Sequence, residues 1–331
     1  MTTLSPGDAV QRVAAIFVGE GCSGDNAHSV ARALVAAEAD GLKGHGLSRI
    51  PTYLQMVRSG KIDGAAQPSA TRPRPGVLAI DAAHGFAYPA LDLAVAELPA
   101  LATAQGIAAA SIRRSSHCGE TGLPCEALAR QGLVALLFAN TPGAMAPWGG
   151  RQPVFGTNPI AFAAPLQGRE PVVVDLALSK VARGPIVAAK QRGETIPEGW
   201  ALDAEGNATT DPDKALAGSM IPLGDAKGGA LALMVEVLAA CLTGANLAFE
   251  ASSFLDDKGP PPATGQLLLA LDPHAFGHAQ FGERIGALAT AIEQQAGARL
   301  PGARRLANRA RAAREGIVIP SGIEALRDWK K

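Results

Sequence analysis

Aromatic side chains make up only 4% of the 331 residues, charge of neither sign is in excess, and no apolar run is long enough to span a bilayer. The first scarcity argues against an aromatic binding surface; with 38 glycines and abundant alanine it points to helices and strands packed closely together. Thirty Lys+Arg against thirty Asp+Glu leave no long-range field to recruit nucleic acid or an anionic membrane, and basic residues cluster only over 304–314. The most apolar stretch, 231–242, is too short to cross a membrane and contains Glu236, and the N-terminal MTTLSPGDAV lacks a basic segment leading into an apolar one. A cytoplasmic chain, neither exported nor membrane-embedded, is expected. Cys22, Cys118, Cys125 and Cys241 show no metal-ligand spacing, so reduced thiols and no metal are expected.

Also missing is any G-x-G-x-x-G string, the phosphate-binding fingerprint of Rossmann dehydrogenases. The segment Gly224-Asp225-Ala226-Lys227-Gly228-Gly229 lacks the spacing of a P-loop. It does offer backbone N–H groups and a lysine at a helix start, where the macrodipole favours an anion, although a capped surface helix reads the same way.

What is present divides by periodicity. The first sixty residues spell three helices: one capped by Ser5-Pro6 and ended by Gly19 and Gly21, one over 26–40, and one from Pro51 to Gly60. From position 77 short aliphatic runs alternate with helical ones. Strands are expected over 77–81, 107–112, 133–140, 160–165, 172–175 and 267–271, with helices over 89–105, 124–131 and 227–242. A long loop is expected over 179–224 and two helices at the end of the chain; there is no internal repeat. The fold class is therefore α/β. Residues 1–75 with 274–331 are expected to form a helical region around an α/β region, 76–273.

Several residues could carry chemistry. His45 lies between two glycines in Gly41-Leu42-Lys43-Gly44-His45-Gly46-Leu47-Ser48-Arg49, with Tyr53 following. One turn-to-helix junction could present an imidazole and a guanidinium to the same small molecule, Arg forking a carboxylate and His handling a proton. An exposed loop histidine would look the same. His117, after a strand, is placed where α/β proteins put ligand contacts, or is a loop histidine. Asn140 ends one strand and Gly156-Thr157-Asn158-Pro159 opens another, which ordinary turns also do. Asp175 ends the most apolar strand, as a helix-cap acceptor or a contact to a cofactor ribose. His28, His84, His274 and His278 have no partner pattern and are taken as structural or exposed.

Taken together, several strings resemble one family, the malate/L-lactate dehydrogenase type unrelated to the Rossmann enzymes. It includes sulfolactate dehydrogenases and the Δ1-piperideine-2-carboxylate/Δ1-pyrroline-2-carboxylate reductases. The strings are Ala39-Asp40-Gly41 with His45-Gly46 and Arg49, Ser115 to Gly119, NTPGAMAPWGGRQPVFGTNPIAFAAP from Asn140, VVDLALS from Val173, IPEGWALDAEGNATTDP from Ile196, KGGALALMVE from Lys227 and TGQLLLALDP from Thr264.

The resemblance implies a homodimer with a non-Rossmann sulfolactate/malate dehydrogenase-like fold that uses NADP or NAD. It implies hydride transfer to or from C2 of a small 2-oxo/2-hydroxy carboxylate, or alternatively reduction of a cyclic 2-imino acid. His45 and His117 would be the catalytic histidines; Arg49 would clamp the substrate carboxylate, with Tyr53 and Thr157 also at the substrate. Asn140, Gly156, Asp175, Leu176, Ala177, Lys227, Gly228, Pro301, Gly302 and Arg304 would contact the dinucleotide. Two departures stand out: the serine before the motif histidine is Gly44, and an aspartate of the imine reductases is replaced by Pro185. Loss of these relay residues leaves open a third reading, a non-catalytic ligand-binding relative.

Overall fold

The computed structural model describes residues 2–277 and 279–325. Ser5 accepts a hydrogen bond from Asp8 N–H at 3.1 Å and Pro6 occupies the first turn, so the first helix runs Pro6–Gly19. Ser23 starts Gly24–Ala39 in the same way, and the third helix is Ile50–Arg58. Their apolar stripes close on one another around Phe17, Leu34, Tyr53 and Leu54, joined by Phe86 and by Ile317 and Ile319 near the end of the chain. Strand Thr3–Leu4 pairs antiparallel with Ile317–Val318 and ties both ends of the chain to this helical unit.

The centre is a seven-stranded sheet in the spatial order Ser69–Arg74, Val77–Asp81, Ile107–Ser115, Thr264–Leu271, Val134–Ala139, Ile160–Leu166, Arg169–Leu176. Only Val77–Asp81 and Ile107–Ser115 run parallel; every other neighbouring pair is antiparallel. That pattern is α/β but not doubly wound, because a Rossmann sheet requires parallel neighbours throughout. The late strand Thr264–Leu271 fills the centre, with Thr264, Gln266 and Leu268 fully buried. Helices Ala87–Gln105 and Gly122–Ala129 cover one face over Leu78, Ala110, Leu137 and Leu268.

Three expectations are corrected. The 179–224 segment is not a loop: it holds helices Arg183–Arg192 and Pro212–Ala217 and a small sheet of Ala201–Leu202, Ala208–Thr209 and Ser219–Met220. Two-residue strands show no periodicity, although Asp211, which accepts from Asp213 and Lys214 N–H, is a regular cap. Strand Ser69–Arg74 was not anticipated because its side chains are all exposed and include a proline, as an edge strand permits. The helix expected over 227–242 runs Ala226–Glu236 and continues as a π-helical turn, Val237–Cys241. That turn lies against the central strand at Gly265, where any Cβ would collide with Ala239 O.

Helix Ala303–Glu315 docks through charge. Arg305 and Arg309 pair with Asp40 and Glu126, and Arg305 also with Glu120, linking it to Gly24–Ala39 and Gly122–Ala129. Burial raises Glu126, but bonds from Arg309 and Arg130 win and hold it down to about 2. Burial, then Asp40, pushes Glu120 up to about 8.

Candidate active site

The glycine-rich segment folds as two short 3-10 turns, Lys43–His45 and Leu47–Arg49. It lies flat on helix Gly24–Ala39 because Gly46 has no side chain: a Cβ there would sit 3.0 Å from Glu38 Cα and collide with Glu38 Oε2. Glu38 accepts from Leu47 N–H at 3.0 Å and pins the second turn. Arg49 donates its Nε–H to Gly44 O at 2.7 Å, and one terminal nitrogen reaches Phe254 O at 3.4 Å. Among the described residues no carboxylate pairs with this guanidinium.

His117 arrives from another direction. It follows strand Ile107–Ser115, whose end is held when Thr264 Oγ1 donates to the carbonyls of Ser115 and Ser116. Its ring stacks on that of His45, with centroids 5.2 Å apart and planes 16° off parallel, and packs 5.3 Å from Phe254. Tyr53 Oη lies 2.5 Å from His117 Nδ1 and 3.0 Å from Tyr88 Oη. The two histidines and the arginine thus meet in one place.

Burial, and after it the Arg49 charge, lowers His45 to about 4. Burial, then Arg49 and His45, holds His117 well below the ordinary histidine range. Both rings are neutral near pH 7, so the site sets one guanidinium beside two uncharged imidazoles. Such a site attracts an anion and handles a proton.

The sheet register places the remaining candidates. Thr264 pairs with Ser115, Gln266 with Ala139, Phe138 with Ile160 and Ile160 with Leu176, so these strand ends share one edge of the sheet. His117, Asn140, Thr157 and the Asp175–Leu176–Ala177 run all emerge there. Asn140 donates to Glu236 Oε1 and Asn246 O and accepts from Gly265 N–H, so its side chain is held internally. Gly156 packs on Thr141, where a side chain would not fit, and Thr157 N–H donates to Thr141 Oγ1 at 2.9 Å. Asp175 accepts from Thr121 Oγ1 and Gly122 N–H, both at 2.7 Å, at the start of helix Gly122–Ala129. Gly302, at φ +84°, lies over Val173 of the same strand and precedes exposed Arg304; Pro301 is exposed. Exposed Lys227 starts helix Ala226–Glu236, with Gly228 packed on Leu223, whose N–H donates to Leu178 O. Tyr53 is buried and bonded to His117.

Three residues carried no sequence signal. Tyr88 and Phe254 read as core positions, and Lys61 reads as a surface lysine after a glycine. Lys61 is in fact buried and donates Nζ–H to the carbonyls of Ser253, Asp256 and Lys258 at 2.7, 2.9 and 2.7 Å. It holds the loop that carries Phe254. His28 and His274 are exposed, His84 sits in a turn at φ 62°, and His278 lies outside the described residues.

A model of the malate/L-lactate dehydrogenase family matches residues 4–327. The chain belongs to the malate/L-lactate dehydrogenase family. Within it the chain is 52% identical over 297 residues to a (2R)-3-sulfolactate dehydrogenase (NADP(+)) of Chromohalobacter salexigens, covering 90% of this chain and 88% of that protein. It is 41% identical over 311 residues to a Δ1-pyrroline-2-carboxylate reductase of Pseudomonas fluorescens, covering 93% and 92%. Its fold matches the crystal structure of a Δ1-piperideine-2-carboxylate reductase of Pseudomonas syringae with a TM-score of 0.92 at 39% identity, over 97% of both chains. A sulfolactate dehydrogenase of Methanocaldococcus jannaschii matches with a TM-score of 0.88 at 28% identity, over 97% and 94%. This member of the malate/L-lactate dehydrogenase family is an NAD(P)-dependent oxidoreductase.

The residues present fit a bound polar cofactor and substrate. Among the described residues His45 Nδ1, Ser116 Oγ and Gln266 Oε1 are buried without a partner; Ser116 precedes His117, and Gln266 donates to Ser116 O. Buried polar atoms left open in this way are what an incoming ligand satisfies.

Proposed function

We propose that this chain reduces a small 2-oxo carboxylate at C2, with NADPH as reductant and a 3-sulfo-substituted acid as the substrate class. The observation that carries the reading is the unpaired Arg49 guanidinium beside the stacked His45–His117 pair. NADPH and the sulfonate rest on the 52% identity to the sulfolactate enzyme. The bound nicotinamide supplies the hydride. Arg49 fixes the carboxylate in a two-pronged grip, and His117 gives the proton to the oxygen on C2, with His45 as the wall of the pocket. Gly156 and the 175–177 strand end would hold the dinucleotide along the sheet edge, where Asn140, bonded internally, orders the neighbouring strand end, with Lys227, Gly228 and the 301–304 turn flanking it. Thr157 borders the substrate. Residues 1–75 with 274–331 would be the substrate and dimerisation region and 76–273 the dinucleotide region, in a cytoplasmic homodimer.

One observation favours the cyclic-imine reading: with Gly44 in place of serine, His45 Nδ1 has no hydroxyl partner. An imine that arrives protonated needs less help from a histidine. Absorbance decay of NADPH and NADH with sulfopyruvate, pyruvate, oxaloacetate and the two cyclic imines decides between them. Turnover of sulfopyruvate with NADPH is expected; consumption of the imines alone would refute the oxo-acid reading. His117→Ala should lower kcat by about 10² to 10⁴.

A further inference from the structure

His117 is a neutral ring whose Nδ1 is already occupied by a phenol, which leaves Nε2 for the substrate. A neutral imidazole that gives up its Nε2 proton becomes an imidazolate unless its other nitrogen gains one in the same step. An anion there would be buried, and burial disfavours it. The chain His117 Nδ1, Tyr53 Oη, Tyr88 Oη, with spacings of 2.5 and 3.0 Å, supplies the missing proton. Tyr88 also lines a 270 Å³ cleft with Ser29, Arg32, Asp92, Cys118 and Glu120, and the half-exposed Arg32 and Asp92 open that cleft to solvent.

We propose that Tyr53, backed by Tyr88, protonates His117 Nδ1 as His117 protonates the substrate, so that a neutral imidazole serves as the acid. This rests on the reductase reading above. In the forward direction the His117 Nε2–H bond breaks as the O–H bond on the C2 oxygen forms, with hydride from the reduced nicotinamide filling C2. Tyr53 O–H breaks as Nδ1–H forms, Tyr88 reprotonates Tyr53, and water in the cleft reprotonates Tyr88. After product leaves, Nε2 takes a second proton from water entering the open site, Nδ1 returns its own to Tyr53, Tyr53 passes one to Tyr88 and Tyr88 releases one to water in the cleft. Each turnover therefore consumes one hydride and one solvent proton.

The surroundings suit this. Among the described residues Arg49, His45 and Cys118 face the chain, and Arg32, Asp92 and Glu120 surround the cleft at its Tyr88 end. Burial pushes Tyr53 up to about 12 and Tyr88 well above the ordinary tyrosine range, so both enter the step protonated. The Arg49 charge pulls the other way on both and eases the transient negative charge. The residues are positioning residues acting through His117.

The test combines kinetics with spectroscopy of the unliganded chain. In mixtures of light and heavy water, wild-type kcat should follow a bowed proton inventory. Tyr53→Phe should straighten it and lower kcat by roughly 10²-fold while KM for the carboxylate stays within about two-fold. Tyr88→Phe, which keeps the Tyr53–His117 bond, should straighten it too with a smaller fall, and covers a Tyr53→Phe protein that does not fold. Nitrogen-15 histidine spectra of the free chain should show His117 neutral from pH 8 to 5, with its Nδ1 signal shifted by Tyr53→Phe. Full rate with the bow intact, or a slow variant with the bow unchanged, overturns the relay. So does a His117 that titrates between pH 6 and 7, whatever the turnover. No turnover with any substrate, with the Nδ1 signature present, would instead overturn the reductase reading.

Discussion

Arg49 owes its value to what it lacks: with its Nε committed to Gly44 O and no carboxylate alongside among the described residues, its terminal nitrogens keep their pull on an incoming anion. Arg49→Lys retains the charge but loses the fork, and a charge-assisted bond is worth about 1.5–3 kcal/mol, so kcat/KM should drop roughly 10- to 100-fold. Unchanged steady-state kinetics would remove the clamp. The histidines bear on stability as well. Folding lowers His45 from 6.5 to about 4, so between those pH values the unfolded chain binds more protons and stability falls as pH drops. Glu120, raised to about 8, works in the opposite sense, losing stability as pH rises from its unfolded value through 8. Urea midpoints of wild type and His45→Gln, compared at pH 7, 6 and 5, isolate the histidine. The difference should shift in favour of the variant by up to about 1.4 kcal/mol per pH unit; a constant difference would contradict the assigned shift.

At the scale of elements, the loop over 253–258 depends on one ammonium. Lys61→Met would leave three carbonyls without a donor, at about 1–3 kcal/mol each if they stay buried, so a loss of roughly 3 kcal/mol is expected, together with faster hydrogen exchange over 251–259. Exchange confined to its wild-type rate would show that the loop is held by something else. The same scale shows where sequence patterns suffice. Ser5-Pro6 and the aliphatic runs around 77–81, 107–112 and 160–165 each carry a local physical cause, a cap or a buried face, and their elements appear as expected. Ser69–Arg74 pairs with the strand directly after it but exposes every side chain, and the strands of the small sheet within 179–224 are two residues long, so no apolar alternation announces either.

For the whole molecule, helix Ala226–Glu236 and its extension leave Leu231, Leu233, Met234, Val237 and Leu242 exposed, with Phe249 beyond. Apolar exposure of this extent is unusual on a monomer and suits a second copy of the chain, which would place a dimer contact within 76–273 in addition to the proposed 1–75 and 274–331 region. Light scattering should give about twice 33.7 kDa for the wild type and near 33.7 kDa for Leu233→Glu with Met234→Glu. A wild type that runs at the single-chain mass at micromolar concentration would refute the dimer.

Local order, the absence of a Rossmann fingerprint and the identity of the arginine and two histidines were decided by the sequence alone, because caps, periodicity and family strings act over a few residues. Their convergence was not. His45 and Arg49 come from a glycine turn lying on a helix, and His117 comes from the end of a strand held by a segment some 150 positions later. Likewise Tyr88 and Lys61 became site residues only through burial, and Tyr53, expected at the substrate, found its partner His117 in the same way, since a hydroxyl or an ammonium has a defined partner only once folding has removed water from around it.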